Sequence, residues 1–463
     1  AAGMGGDAAG DVLSAIENLI GTAQSDTLVG DGIANALTGG DGDDTLVGGA
    51  GADTLTGGAG SDTVSYSTAS AGLTASLGNT ALNTGDALGD VYATLENLTG
   101  SAHADTLYGD GSANVIDGGD GNDTLAGGAG ADTLTGGIGT DTVDYSASGS
   151  AVTAYLNGAA GTGGDAAGDV ISGVENLIGS TQADALYGNG SANAISGGDG
   201  DDTLVGGAGA DTLTGGNGTD TADYSASASA VTAYLDGPAG TGGDAAGDVL
   251  TSIENMIGST QADMLYGNAN DNVLSGGDGD DTLIGGAGAD VLTGGIGTDT
   301  ADYSASASAI TLNLAATGSG TSGDAAGDTM TGIENVIGSA GNDSFTLALG
   351  NNWTIFGGAG SDTVALAENS GVVTEGDLLN EMSQIETLDF RSTGTDANLV
   401  IDASFIQQLV GQGNSSHLDL SFDAGDTWSV AAGSFSQTVG ADQVFYSDGT
   451  LTTEIARLTV NSI

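Results

Sequence analysis

Aspartates stand nine residues apart in GGDGDDTLVGGAGADTLTGGAGSDTVS, residues 39–65. Asp44, Asp53 and Asp62 are each the sixth residue of a phrase that opens on two glycines and carries Leu46, Leu55 or Val64 at its eighth place. One carboxylate per turn, repeated at a fixed interval, offers oxygen ligands to a hard cation. The same residues suit acid–base catalysis poorly, because that work needs one carboxyl set apart from its neighbours by its environment. Pairs such as Asp43 and Asp44 recur in a chain with 62 acidic residues, and a solvated turn is the simpler reading of any one pair. The segment DGDDTLVGGAGA also lacks the glutamate at place twelve that an EF-hand loop requires.

The elements that position these carboxylates belong to a chain of 463 residues with 87 glycines, one proline and no cysteine. Its two basic residues are Arg391 and Arg457, and the formal net charge is -60. Such a charge excludes nucleic acid and anionic membrane surfaces as electrostatic partners and calls for cations. Without cysteine there are neither disulfide staples nor thiol-ligated metals. No apolar run is long enough to span a membrane, and the first residues carry no basic, apolar leader. Yet 39% of residues are hydrophobic and fall at regular intervals, so order is expected once the charge is neutralised.

The repeat has two levels. Phrases 39–47, 48–56 and 57–65 follow two degenerate ones, 21–29 with Asp26 and 30–38 with Asn35 at the sixth place. This five-phrase cassette recurs near 21–65, 100–144, 179–223 and 258–302, inside a unit marked by Glu17, Glu96, Glu175, Glu254 and Glu334, which lie 79, 79, 79 and 80 residues apart. Between cassettes lie connectors such as DYSASASAVTAYL followed by GTGGDAAGDVLTSIEN. Alternation around Val231, Ala233 and Leu235, or Ile310, Leu312 and Leu314, predicts a strand, then a polar loop, then a second strand near the glutamate.

Each phrase spends six residues on a turn and three on a strand too short to persist alone. Glycines at places one, two and four are expected to allow positive φ. Two phrases make one coil, coils stack as parallel strands, place eight faces inward, and places seven and nine face outward. The core is then a single thin seam of aliphatic side chains, too little to order so much glycine, while stacking sets the sixth-place carboxylates in repelling rows. Calcium resolves both difficulties, since it takes six to eight oxygens and a turn supplies a carboxylate together with backbone carbonyls. The metal-free chain is expected to be unfolded.

GGDGDDTLV, GGAGADTLT and GGAGSDTVS resemble the RTX nonapeptide GGxGxDx-aliphatic-x, and three such copies stand in each of four units. The resemblance implies an all-β fold: a right-handed parallel β-roll, here a calcium-binding solenoid of about four 79-residue units with a C-terminal β-rich cap. It also implies calcium between adjacent turns, roughly a dozen ions or more, and type I secretion on an uncleaved C-terminal signal. By position it carries metal-ligand roles to Asp44, Asp53, Asp62, Asp123, Asp132, Asp141, Asp202, Asp211, Asp220, Asp281, Asp290 and Asp299. Because ions should bridge phrases two apart, Asp26, Asp105, Asp184 and Asp263 join them, and weak later phrases add Asp343 and Asp362. Asn35, Asn114, Asn193 and Asn272 depart from the motif and should leave weaker or empty sites.

On this basis residues 1–340 form the repeat array, and 341–463 a degenerate repeat plus a cap and export region. There Asp402, ASFIQQLV and Gly411 read as a short capped helix, while TWSV and IARLTVNSI read as strands. The opening AAGMGGDAAGDVLSAIEN matches the middle of a connector, so residue 1 is expected to be a cut within a longer array or an end covered by another molecule.

No catalytic constellation stands out: there is no HExxH, no GxSxG and no lysine for a phosphate loop, so the chain is read as a non-enzyme. His103 and His417 are isolated, and Tyr145, Tyr224 and Tyr303 read as packing residues. Asp7 and Asp11, with their copies Asp165 and Asp169 and Asp244 and Asp248 in the connectors, are read as polar loop, with extra calcium ligation as the alternative. Near-identical units suit a length of material. The leading expectation is a secreted, calcium-hardened structural protein of the bacterial surface, an S-layer, filament or adhesin component that associates with itself. The rivals are the C-terminal folding and secretion module of a larger enzyme or toxin, and a calcium-dependent module that binds a surface glycan.

Overall fold

The structure is a computed structural model that describes residues 15–315, 318–347 and 353–366, with Ile385 and separate strand segments from 372 to 462. It divides into two compact units, residues 1–222 with 247–253, and residues 223–246 with 254–463.

In the first unit, strands repeat at the coil length the phrases imply. Thr27–Val29 pairs in parallel with Thr45–Val47, which pairs with Thr63–Ser65, so that Leu28, Leu46 and Val64 stand in register. On the other face Leu19, Leu37 and Leu55 align in the same way. Place eight does face inward: Leu46, Leu55, Leu125 and Leu134 are 0% exposed. The flanking Thr45 and Thr56, expected to face outward, are half-buried, and Val47 is buried, because residues of the coils above and below stack against them.

Two turn details differ from expectation. On one face the strand runs six residues through the glycine pair, as in Val115–Asp120 beside Thr133–Ile138, where Gly119 pairs with Gly137. Positive φ belongs to places two and four, Gly40 at 125° and Gly42 at 107°, but not to place one. Gly39 is needed for space: a Cβ there would lie 2.0 Å from Asp44 Oδ2.

The connectors are enlarged coils. After Leu55 the next residue in its row is Tyr92, and after Val64 it is Leu98. Between them strand Thr74–Ser76 opens a new parallel sheet against Thr106–Tyr108. That sheet continues through Thr124–Ala126, Thr142–Asp144, Asn176–Ile178, Ala194–Asp199 and Thr212–Asn217 to Val249–Thr251. The expected strand, loop and strand are all present, the loop being a 3-10 turn such as Gly164–Ala166 before Val170–Ser172. Just before that turn Thr162 covers strand Thr153–Tyr155, the end strand of another sheet, Thr153 and Thr162 exchanging backbone hydrogen bonds of 2.7 and 2.9 Å.

The second unit repeats the pattern in two rows. Val273–Asp278 lies between Asn255–Ile257 and Val291–Ile296, and Met264–Tyr266 lies between Thr232–Tyr234 and Thr282–Ile284. Val231, Ala233, Leu235, Ile310, Leu312 and Leu314 are buried. Further along, Gly318–Ser322 pairs antiparallel with both Thr311–Asn313 and Thr329–Thr331. TWSV forms strand Thr427–Val430, and the run around IARLTVNS forms Glu454–Ser462, which pairs with His417–Phe422. The helix expected at Asp402 to Gly411 lies outside the described residues, as do Asp7 and Asp11. Among the described residues no helix is long and apolar enough to cross a membrane.

Candidate metal centre

Parallel stacking places sixth-place residues above one another at each polar turn, with a fixed division of labour between the two carboxylate oxygens. One oxygen joins the coils: the backbone N–H of Asp44 donates to Asp62 Oδ1 (2.8 Å), and those of Asp105 and Asp123 donate to Asp123 and Asp141 Oδ1 (2.8 Å each). At the end of the cassette a glutamate of the repeat triplet takes over, Asp141 N–H donating to Glu175 Oε2 (2.9 Å). The sequence marked these glutamates only as period markers; the structure shows that Glu96, Glu175 and Glu334 each end a carboxylate row.

The other oxygen has no partner. Asp44, Asp53, Asp62, Asp123, Asp132, Asp141, Asp202, Asp281, Asp290 and Asp299 are at most 1% exposed, and their Oδ2 atoms are buried without a hydrogen bond. A buried carboxylate oxygen left so is costly. Burial accordingly pushes the carboxyls of Asp123, Asp132, Asp202 and Asp281 up to about 6 and that of Asp290 to about 7. The N–H bonds they accept pull them down, and neighbouring carboxylates such as Asp105 and Asp141 beside Asp123 push them up.

Each orphaned oxygen faces a recess that is free only because place one is glycine. A Cβ on Gly118 would sit 2.4 Å from Asp123 Oδ2 and 2.6 Å from the carbonyl oxygen of Gly136, one coil further on. A Cβ on Gly57 would meet Thr94 O at 2.1 Å and Asp62 Oδ2 at 2.4 Å. Among the described residues no three acidic or histidine side chains converge as one ligand cluster, so an ion here draws most of its oxygens from backbone. A hard oxygen donor set, a buried unpaired carboxylate oxygen and a recess lined by carbonyls fit calcium. The residues that would hold it are the sixth-place aspartates with the carbonyls of adjoining turns; the ion would supply the positive charge these turns lack.

The remaining expected ligands fall into two groups. Asp211, Asp220 and Asp362 are buried in the same register, their Oδ1 atoms accepting the N–H of Asn193, Asp202 and Asp343 at 2.8 Å. Asp26, Asp105, Asp184, Asp263 and Asp343 differ, because a residue four places earlier caps each of them. Asp26 accepts the Thr22 N–H and hydroxyl, and Asp343 accepts the Ser339 N–H and hydroxyl.

The connector aspartates form a third class that the sequence left open between loop and ligand. Asp169 Oδ1 accepts Asp132 N–H and its Oδ2 accepts the Tyr145 hydroxyl, both at 2.8 Å. Asp90 with Tyr66 and Asp328 with Tyr303 repeat the pair. The packing tyrosines are thus also hydrogen-bond donors that fill the second oxygen.

Against known families, the model of the RTX calcium-binding nonapeptide repeat matches residues 38–66, 96–125, 117–147, 171–204, 196–226, 253–283, 266–301 and 328–364. No curated protein matches the chain significantly.

Proposed function

Since this chain is built on RTX calcium-binding nonapeptide repeats, we propose that it is a secreted structural protein of the bacterial surface or matrix, hardened by calcium outside the cell. The observation that carries the reading is repetition. Buried, unpaired Oδ2 atoms recur along the chain, at Asp44, Asp53 and Asp62, at Asp123, Asp132 and Asp141, and at Asp281, Asp290 and Asp299, and holding cations is the one chemistry the unit multiplies. In calcium-poor cytoplasm the carboxylate rows keep the chain unfolded and fit for export; at extracellular calcium they draw the coils together. Near-identical units then serve as a length of S-layer, filament or adhesin, with no catalytic role.

The test is a calcium titration of the purified chain followed by circular dichroism and electron microscopy. Calcium-dependent β structure with ordered filaments or lattices supports the proposal. Calcium-dependent folding to a dispersed monomer overturns the structural role.

A further inference from the structure

One coil in each of three successive 79-residue units is made differently from those that follow it. In residues 100–117, Asp105 Oδ2 accepts the Ser101 N–H (2.5 Å), while its Oδ1 accepts the Ser101 hydroxyl (3.1 Å) and the Leu73 N–H (2.8 Å). At the opposite turn Asn114 Oδ1 accepts the Asp110 N–H and its Nδ2 donates to the carbonyl of Glu96, both at 2.8 Å.

The next units repeat this. Ser180 caps Asp184 through its N–H (2.5 Å) and hydroxyl (2.9 Å), and Asn193 Nδ2 donates to Glu175 O (3.0 Å). Ser259 caps Asp263, and Asn272 Nδ2 donates to Glu254 O (2.9 Å).

Both turns of such a coil are therefore closed. A carboxylate whose two oxygens already accept hydrogen bonds from its own loop gains less from a metal than one with a buried empty oxygen. A carboxamide N–H directed at a backbone carbonyl puts partial positive charge against that oxygen and competes with a cation for it. The chemical difference lies at two places: serine replaces the second glycine, and asparagine replaces the sixth-place aspartate of the following phrase.

We propose that residues 100–117, 179–196 and 258–275 are calcium-independent coils, closed by hydrogen bonds, against which the calcium-dependent coils stack. The proposal rests on reading the other sixth-place aspartates as calcium ligands, and it removes Asp105, Asp184 and Asp263 from the ligand set. It also gives loading a direction. The Asp105 N–H is presented to Asp123 Oδ1, so the closed coil is the edge on which the first calcium coil of its unit is laid.

Equilibrium dialysis with radioactive calcium on the full chain tests this, with circular dichroism at saturating calcium to confirm folding. Asp123→Asn, Asp202→Asn and Asp281→Asn together should release about three ions, one per site. Asp105→Asn, Asp184→Asn and Asp263→Asn together should leave the ion count unchanged; release of about three ions would overturn the proposal. Should that variant not fold, Asn114→Asp, Asn193→Asp and Asn272→Asp decide. Each restores a carboxylate and removes the competing N–H, so a gain of about three ions supports the closed coil and an unchanged count contradicts it. A wild-type chain that binds no calcium refutes the functional reading instead, which separates the two failures.

Discussion

Residues 100–117 and 118–141 carry the same inward seam, Leu107 and Ile116 in one, Leu125 and Leu134 in the other, all 0% exposed and in parallel register. Their polar turns differ. In the first, Ser101 donates to both oxygens of Asp105, the Asp110 N–H fills Asn114 Oδ1 and the Asn114 carboxamide donates to the Glu96 carbonyl; in the second, Asp123, Asp132 and Asp141 each keep one buried oxygen with no donor. The apolar pattern thus decides that a coil forms and how it stacks, while the polar turn decides whether a metal must complete it.

The largest expected effect comes from withdrawing the ion. Chelation should abolish β structure across residues 21–310: coils like 118–141 cannot bury rows of like charge on so thin a core, and the closed coils, which bind no ion themselves, cannot persist as single coils once their neighbours are lost. At a calcium concentration tenfold above the site constant each ion adds only about 1.4 kcal/mol, so loss of the whole set is decisive where loss of one is not.

Acid reverses the sign of that comparison. Without calcium, the folded carboxyls of Asp123, Asp132, Asp202 and Asp281 hold protons up to about 6, against 3.8 for an ordinary aspartate. Between those values the folded chain binds more protons than the unfolded one, so stability falls as pH rises through the window. Acidifying the chelated protein from about pH 7 to about pH 4 should therefore recover β structure on circular dichroism, whereas in calcium the same acidification expels ions and lowers the melting temperature.

A smaller effect is expected in the shared seam. Leu125→Ala should cost about 2–5 kcal/mol in calcium, and Leu107→Ala should cost a similar amount, because the two stack directly in register. Unequal losses in denaturant melts would show that the two kinds of coil do not share one core.

Tyr145→Phe removes the donor to Asp169 Oδ2 and should cost about 1–3 kcal/mol without changing the number of bound ions. At the bottom of the scale, a Cβ on Gly111 meets nothing within 4 Å, so Gly111→Ala should shift the calcium midpoint little, whereas Gly118→Ala fills the recess beside Asp123 and should raise it clearly.

Much of this was legible in the sequence for a physical reason: a nine-residue period with one apolar residue per phrase leaves few ways to bury that residue, and Leu46, Leu55 and Val64 are where the pattern put them. The sixth-place aspartates were legible as a class. Which of them are capped was not, because the signal is one hydroxyl residue four places earlier, Ser101 or Ser180, in a chain rich in serine and threonine. The tyrosine–aspartate pairs were hidden by distance. Tyr145 and Asp169 are 24 residues apart, and only the enlarged coil of the connector brings them together.

Cations between coils supply the cohesion the narrow core lacks. Long-wavelength anomalous diffraction from crystals grown in calcium tests this most directly. Peaks are expected beside Asp123 Oδ2 and Asp141 Oδ2 within calcium–oxygen bonding distance; ordered coils with no peak at either carboxylate would show that cohesion has another source.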